Sequence, residues 1–70
     1  MSKSNIKRAV KLAGGVSAMA RALAVSRPTI YLWMRRGFPP AEYCLGIERV
    51  TGAQVSRYQL RPDIYPHSDL

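Results

Sequence analysis

An all-α fold of four to five short helices, two of them crossing through a tight turn, is what three features of this 70-residue sequence predict. Apolar residues recur at helical offsets: Val16, Met19, Ala20 and Leu23 fall on one face of one helix, and Ile30 and Trp33 form the inward face of the next. Breakers punctuate these stretches at Gly14-Gly15, Gly37 and Pro39-Pro40. A small residue, Ala20, stands where the first of two crossing helices must let the second lie almost on its backbone, and Val25 plugs the turn between them. Val16 to Arg36 therefore reads as a helix-turn-helix whose structural core is Ala20, Val25, Ile30 and Trp33.

The elements follow in order. Ser4 is expected to cap a first helix over Asn5 to Ala13, with Ile6, Ala9, Val10 and Ala13 on one face and Lys7, Arg8 and Lys11 mostly off it. The Gly14-Gly15 pair permits positive φ, so the chain can leave that helix in a left-handed cap and begin the next within a residue or two. Ser17 then stands at the start of the second helix. In the turn Ala24-Val25-Ser26, Ala24 holds a position where Gly is commoner, which implies either a left-handed residue strained by about 1 kcal/mol or a slightly different turn. Ser26 is expected to cap the third helix by accepting from the Thr29 N–H, and Pro28 is tolerated in the first turn, where N–H groups lack intrahelical acceptors. Gly37 stops that helix. Phe38-Pro39-Pro40 runs extended until Pro40 opens a fourth helix through about Thr51, with Ala41, Cys44, Leu45, Ile47 and Val50 as a broad apolar surface and Gly52 as its stop signal. Ser56 caps a short last turn to Leu60, which Arg61-Pro62 breaks. The domain division that results is 1–62 for the helical unit and 63–70 for an extended tail.

Size limits what this unit can do. A chain of 70 residues makes one domain and buries only about 60% of the surface its unfolded form exposes, so its stability margin is thin. Apolar residues form 47% of it, too many for a disordered tail. No apolar run reaches the roughly 20 residues needed to span a bilayer, and the N-terminus lacks the pattern of a secretory signal. A soluble cytoplasmic protein of a bacterial or phage-infected cell, without a membrane partner, is expected. Cys44 is the single cysteine and His67 the single histidine, so neither a disulfide nor a zinc site can be assembled from them within one chain. Cys44 sits in an apolar pattern as a small hydrophobe. Glu42 and Glu48, six apart on one helix, do not share a face. The sequence contains no catalytic constellation, and no enzyme, metal or cofactor is implied.

Charge points to the partner. Met1 to Arg36 holds eight bases (Lys3, Lys7, Arg8, Lys11, Arg21, Arg27, Arg35 and Arg36) and no acid, whereas the remainder has three bases against four acids. The whole net charge of +7 therefore sits on the half that contains the helix-turn-helix, and such a one-sided field attracts a polyanion. A basic but merely solvated surface is the plainer reading; the coincidence of motif and charge favours double-stranded DNA.

With those residues on the page, the chain resembles the small all-helical Cro and YdaS-like regulators of prophages and bacterial genomes. The likeness runs through KLAGGVSAMARALAVSRPTIYLWMRRG, then PPAEYCLGIERVTG, then VSRYQLRPDIYP. It implies a lambda-repressor-like DNA-binding fold and transcriptional repression by operator binding, commonly as a dimer on a short near-palindrome. Members labelled antitoxins share the fold, so the resemblance also implies an alternative: an antitoxin-type interaction protein that autoregulates through the same DNA-binding unit. The departure from the family's commoner pattern is Ala24.

In the leading reading the helix 27–36 enters the operator major groove with Arg27, Pro28, Tyr31, Leu32 and Arg35 facing the bases. Arg27 has the guanidinium fork that matches guanine O6 and N7, or else it clamps a phosphate. Tyr31 and Leu32 reach a base edge and a thymine methyl, or else pack; Pro28 contributes shape only. Ser17, Arg21, Ser26, Thr29, Arg36, Lys7 and Lys11 are the expected phosphate contacts, which orient without reading sequence. Ser26 and Thr29 have capping as their alternative role. Trp33 shares the inward face of Ile30 and is expected in the core. A homodimer, at least on DNA, is expected to pair through the fourth helix and Val55 to Tyr65, where charge is balanced and apolar residues exceed what so small a core can hide.

Overall fold

The computed structural model describes residues 3–65, with side chains from Asn5 onward. Five α-helices follow one another: α1 (Lys3–Leu12), α2 (Val16–Leu23), α3 (Arg27–Arg36), α4 (Cys44–Val50) and α5 (Arg57–Leu60). A single 3-10 turn, Ala41–Tyr43, precedes α4. The fold is all-helical and built on a helix-turn-helix.

Helix α3 lies at the centre, packed against both α1 and α2, while α4 packs against α2 and α5, and α5 reaches back to α1. The core is correspondingly shared: Ile6, Ala9 and Val10 from α1, Met19 and Ala20 from α2, Ile30 and Trp33 from α3, Cys44 and Ile47 from α4, then Val55 and Leu60. Trp33 is the largest of its fully enclosed side chains, and the Tyr43 ring tilts against it at a centroid distance of 5.0 Å. Burying an indole of this size is worth about 4–6 kcal/mol. That is comparable with the whole net stability, about 4–10 kcal/mol, of a domain this long.

Three helices end in the same way, by a left-handed residue followed by an N–H that reaches back five residues. Gly14 (φ 102°) ends α1 with Gly15 N–H on Val10 O at 2.9 Å; Ala24 (φ 58°) ends α2 with Val25 N–H on Ala20 O at 2.9 Å; Gly52 (φ 62°) ends α4 with Ala53 N–H on Glu48 O at 2.7 Å. These bonds satisfy carbonyls that a helix end leaves without partners. Gly15, at φ 111° and ψ 176°, occupies a backbone region essentially reserved for Gly, and this lets α2 start immediately.

Two boundaries differ from the sequence expectation. Helix α1 spans Lys3–Leu12, so Ser4 lies within the helix rather than before its first residue. The single fourth helix expected from Pro40 to Thr51 is split. Pro40 is extended (φ −61°, ψ 151°), the 3-10 turn follows, and α4 starts only at Cys44. The tighter turn accompanies the placement of Tyr43 against Trp33, a tertiary contact that periodicity does not contain.

The segment after Pro62 also departs from an extended tail. Ile64 and Tyr65 N–H groups both bond to Arg61 O, at 3.0 and 2.8 Å, and Tyr65 packs on the core. The expected tail residues 66–70, with His67, lie outside the described residues. Much of the apolar surface assigned to dimer pairing is likewise internal: Cys44, Ile47, Val55 and Leu60 are buried, and the large apolar side chains left exposed there are Leu45 and Ile64.

A buried hydroxyl holds the α4–α5 connection. Thr51, 4% exposed, accepts from Val55 N–H at 3.3 Å and faces the carbonyls of Glu48 and Val55 as donor. Thr51→Val keeps the shape and strands a buried N–H, so it is expected to destabilise by about 1–3 kcal/mol. Urea unfolding followed by circular dichroism measures this; a shift below 0.5 kcal/mol (about a tenth of the expected net stability) would show the bonds to be dispensable.

Candidate nucleic-acid interface

The exposed side of α3 is set by what its other side buries. Ile30 and Trp33 are 0% and 2% exposed, so a helix of ten residues must present Arg27, Pro28, Tyr31, Leu32 and Arg35 outward, and all five are exposed. Tyr31 and Leu32 keep 55% and 45% of their surface. Neither side chain is part of the buried core. Trp33 is the core residue it was expected to be.

The start of α3 is built by side chains on both sides of Pro28. Ser26 is extended (φ −80°, ψ 157°), and its Oγ accepts from Thr29 N–H at 3.4 Å while sharing a 2.8 Å hydrogen bond with Thr29 Oγ1. Both hydroxyls are therefore engaged in capping, the alternative role anticipated for them. The half-buried Thr29 is less available to a phosphate than the exposed Ser26. Gly37 ends the helix at φ 96°, its N–H on Trp33 O at 2.8 Å.

The turn between α2 and α3 has the strained geometry that Ala24 made conspicuous: φ 58° and ψ 42°, fully left-handed. Val25 is half-buried against the core and Ala20 is 5% exposed where α2 and α3 meet. Of the remaining sequence candidates, Lys7 and Lys11 on α1, Ser17 and Arg21 on α2 and Arg36 at the end of α3 are all exposed. No side chain caps the start of α2, where Ser17 stands.

The charge segregation seen along the chain is sharpened by the fold. Among the described residues the two ion pairs both lie in the second half: Arg57 with Glu48 at 3.7 Å, and Arg61 with Asp63 at 2.9 Å. Two of the three bases of the second half, Arg57 and Arg61, are thus paired within it, and the bases of α1, α2 and α3 have no carboxylate from the first 36 residues to meet. Their field stands uncompensated. Glu48 also accepts the Arg57 backbone N–H at 2.9 Å, which satisfies the first turn of α5. Among the described residues no group of three or more His, Cys, Asp or Glu forms a metal cradle, and no helix is long and apolar enough to cross a membrane. Burial raises the Cys44 thiol above its ordinary pKa, partly opposed by the nearby Arg61 cation.

Two residues beside the site, Phe38 and Arg61, carry no local sequence signal for a role there. Phe38 follows the end of α3, and the guanidinium groups of Arg36 and Arg61 lie 4.6 and 4.8 Å from its ring centroid. Arg61 chelates the Asp63 carboxylate through Nε and Nη2, at 3.1 and 2.9 Å, and donates from Nη1 to Pro39 O at 2.9 Å. The R-P-D spacing was visible as part of a resemblance, but its partner on the α3–α4 connection was not.

Residues 6–68 match the family model described as "Bacterial toxin YdaS". A protein of Escherichia coli (strain K12) named "Putative transcriptional regulator YdaS" is 46% identical over 67 residues, an alignment covering 91% of this chain and 68% of that protein. Among solved structures, "Structure of the Cro protein from putative prophage element Xfaso 1 in Xylella fastidiosa strain Ann-1" superposes with a TM-score of 0.86 at 43% identity, covering 90% of this chain and 97% of the other.

Two outcomes check the local chemistry. Ala24→Gly removes the left-handed penalty of about 1–2 kcal/mol but loosens the unfolded chain, so a net gain of about 0.5–1 kcal/mol is expected in thermal melts, and a loss would mean the turn is not strained. The second concerns acid. The hydrogen bond from Arg61 holds the Asp63 carboxyl below its usual range, so its contribution is present above the unfolded pKa and disappears as pH falls through the lowered one. Asp63→Asn should therefore lower the melting temperature near neutrality and narrow its gap to the parent below about pH 4; an unchanging gap across that window would contradict the pairing.

Proposed function

The chain belongs to the YdaS family, and from that premise we propose that it is a sequence-specific DNA-binding transcriptional regulator, a Cro-like repressor that docks α3 in the operator major groove and occludes RNA polymerase. The observation that carries this reading is the division of α3: Ile30 and Trp33 anchor one side in the core, while Arg27, Pro28, Tyr31, Leu32 and Arg35 stand exposed on a half-chain without a single acid. The relatives named as a regulator and a Cro protein support it.

In this reading Arg27 reads guanine through its bidentate fork, Tyr31 and Leu32 contact a base edge and a thymine methyl, and Arg35 reaches a base further along the groove. Lys7, Lys11, Ser17, Arg21, Ser26, Thr29 and Arg36 neutralise or bond phosphates and set the register. A homodimer formed at least on DNA presents two copies of α3 about 34 Å apart, one helical turn of duplex. A protomer measuring 36 × 23 × 19 Å suits that spacing. Leu45 and Ile64 are the exposed apolar residues on which two-fold pairing would draw.

Selection of bound sequences from a random DNA pool is the primary test, and the expected product is a half-site containing guanine, repeated at fixed spacing. Arg27→Ala should cost about 1–3 kcal/mol of preference for that site over random DNA, whereas Arg36→Ala should weaken both alike and flatten the salt dependence. No enrichment from the pool, or equal effects of the two substitutions, would overturn the assignment. The antitoxin-type alternative predicts instead that removing residues 63–70 abolishes capture of a protein partner and leaves operator binding intact.

A further inference from the structure

We infer that Phe38 and Arg61 are positioning residues for nucleic-acid binding: together they hold the guanidinium of Arg36 in one orientation, ready to meet a phosphate. This inference rests on the proposed DNA-binding role of Arg36 and adds how that contact is prepared.

Arg36 is an exposed last residue of a helix, where a long side chain would ordinarily sample many rotamers. Here its Nε donates to Phe38 O at 3.1 Å and its guanidinium carbon lies 4.6 Å from the Phe38 centroid. One bond and one ring contact fix a planar group from two directions. Both use Phe38, and neither takes a hydrogen bond from the two terminal NH2 groups, which form none with any described residue. Those are the donors that bind a phosphate bidentately.

The anchor is itself anchored. Gly37 turns the chain sharply at φ 96°, which brings Phe38 back beside the helix end, and Pro39 is fully buried. Arg61, whose side chain is 13% exposed, approaches the same ring to 4.8 Å, bonds Pro39 O and is locked by Asp63. Two cations this close to one ring repel one another, and the carboxylate chelated by Arg61 offsets that repulsion. The partly buried Arg61 therefore sets the ring, and the ring sets the surface arginine. Binding then need not immobilise the Arg36 side chain, a step that ordinarily costs about two- to tenfold in affinity.

The test uses fluorescence anisotropy with one short mixed-sequence DNA duplex, on the full chain, at several salt concentrations. Phe38→Leu removes the ring but keeps an apolar group; Arg36→Lys keeps the charge at an exposed position and loses both the Nε donor and the planar face. Each is expected to weaken binding by about two- to tenfold. In the Arg36→Lys or Arg36→Ala background, Phe38→Leu should add nothing, and Arg61→Lys should match Phe38→Leu. Circular dichroism melts confirm that each variant is folded at the assay temperature. If Phe38→Leu fails to fold, the exposed Arg36→Lys substitution decides on its own: unaltered affinity sinks the inference. Fully additive effects of the Phe38 and Arg36 substitutions would do so as well, while leaving DNA binding standing. A parent chain that ignores the duplex altogether would overturn the DNA-binding reading first and this inference with it.

Discussion

Enclosure of Trp33 and Ile30 in the shared core is the constraint on which the rest of the molecule depends. In a domain whose net stability is of the same order as the burial of one indole, α3 cannot rotate about its axis without losing the fold. A helix fixed in rotation has a fixed outer face. Tyr43 braces the indole, and α1 and α2 both pack against α3. The exposed row from Arg27 to Arg35 is thus the complement of a packing decision, and its rigidity comes from residues that never reach the surface.

Charge is arranged by the same economy. A small domain has few residues to spare for long-range electrostatics, and this one separates them along the chain: bases without acids in the first three helices, three bases against four acids in the rest. The pairs do more than cancel. Glu48 satisfies the start of α5 and Arg61 ties the connection after α3 to the turn after α5, so the neutral half is held together by the interactions that neutralise it. The basic half is left with an undiminished field, which is the property a polyanion partner would sense.

Backbone geometry links the two halves. Left-handed helix ends whose following N–H reaches back five residues appear at Gly14, Ala24 and Gly52, and each allows the next segment to start at a sharp angle within a few residues. Only Ala24 bears a side chain among these three, and it lies in the turn that sets α2 against α3. Whatever strain is stored there is tolerated because Ala20, Val25 and the Ser26 cap over-determine the turn.

Much of this architecture was legible along the chain. Periodicity located α1, α2 and α3 and their inward faces, the Ser26 and Ser56 caps announced the starts of α3 and α5, and the distribution of bases indicated the kind of partner. All of these are written in residues within about one helical turn of one another, or in bulk composition, so no knowledge of topology is needed to read them. Tertiary structure decided the rest. It split the expected fourth helix so that Tyr43 could meet Trp33, and it brought Gly46 so near Leu23 that a Cβ there would lie 3.0 Å from Leu23 Cδ2. It withdrew most of the apolar residues of α4 and α5 from the surface. It also bonded Asn5 to Gln59 across 54 residues and Arg61 to Pro39 across 22. Contacts over such separations depend on how helices stack in space, and a linear pattern carries no information about which distant residue will fill the partner's place.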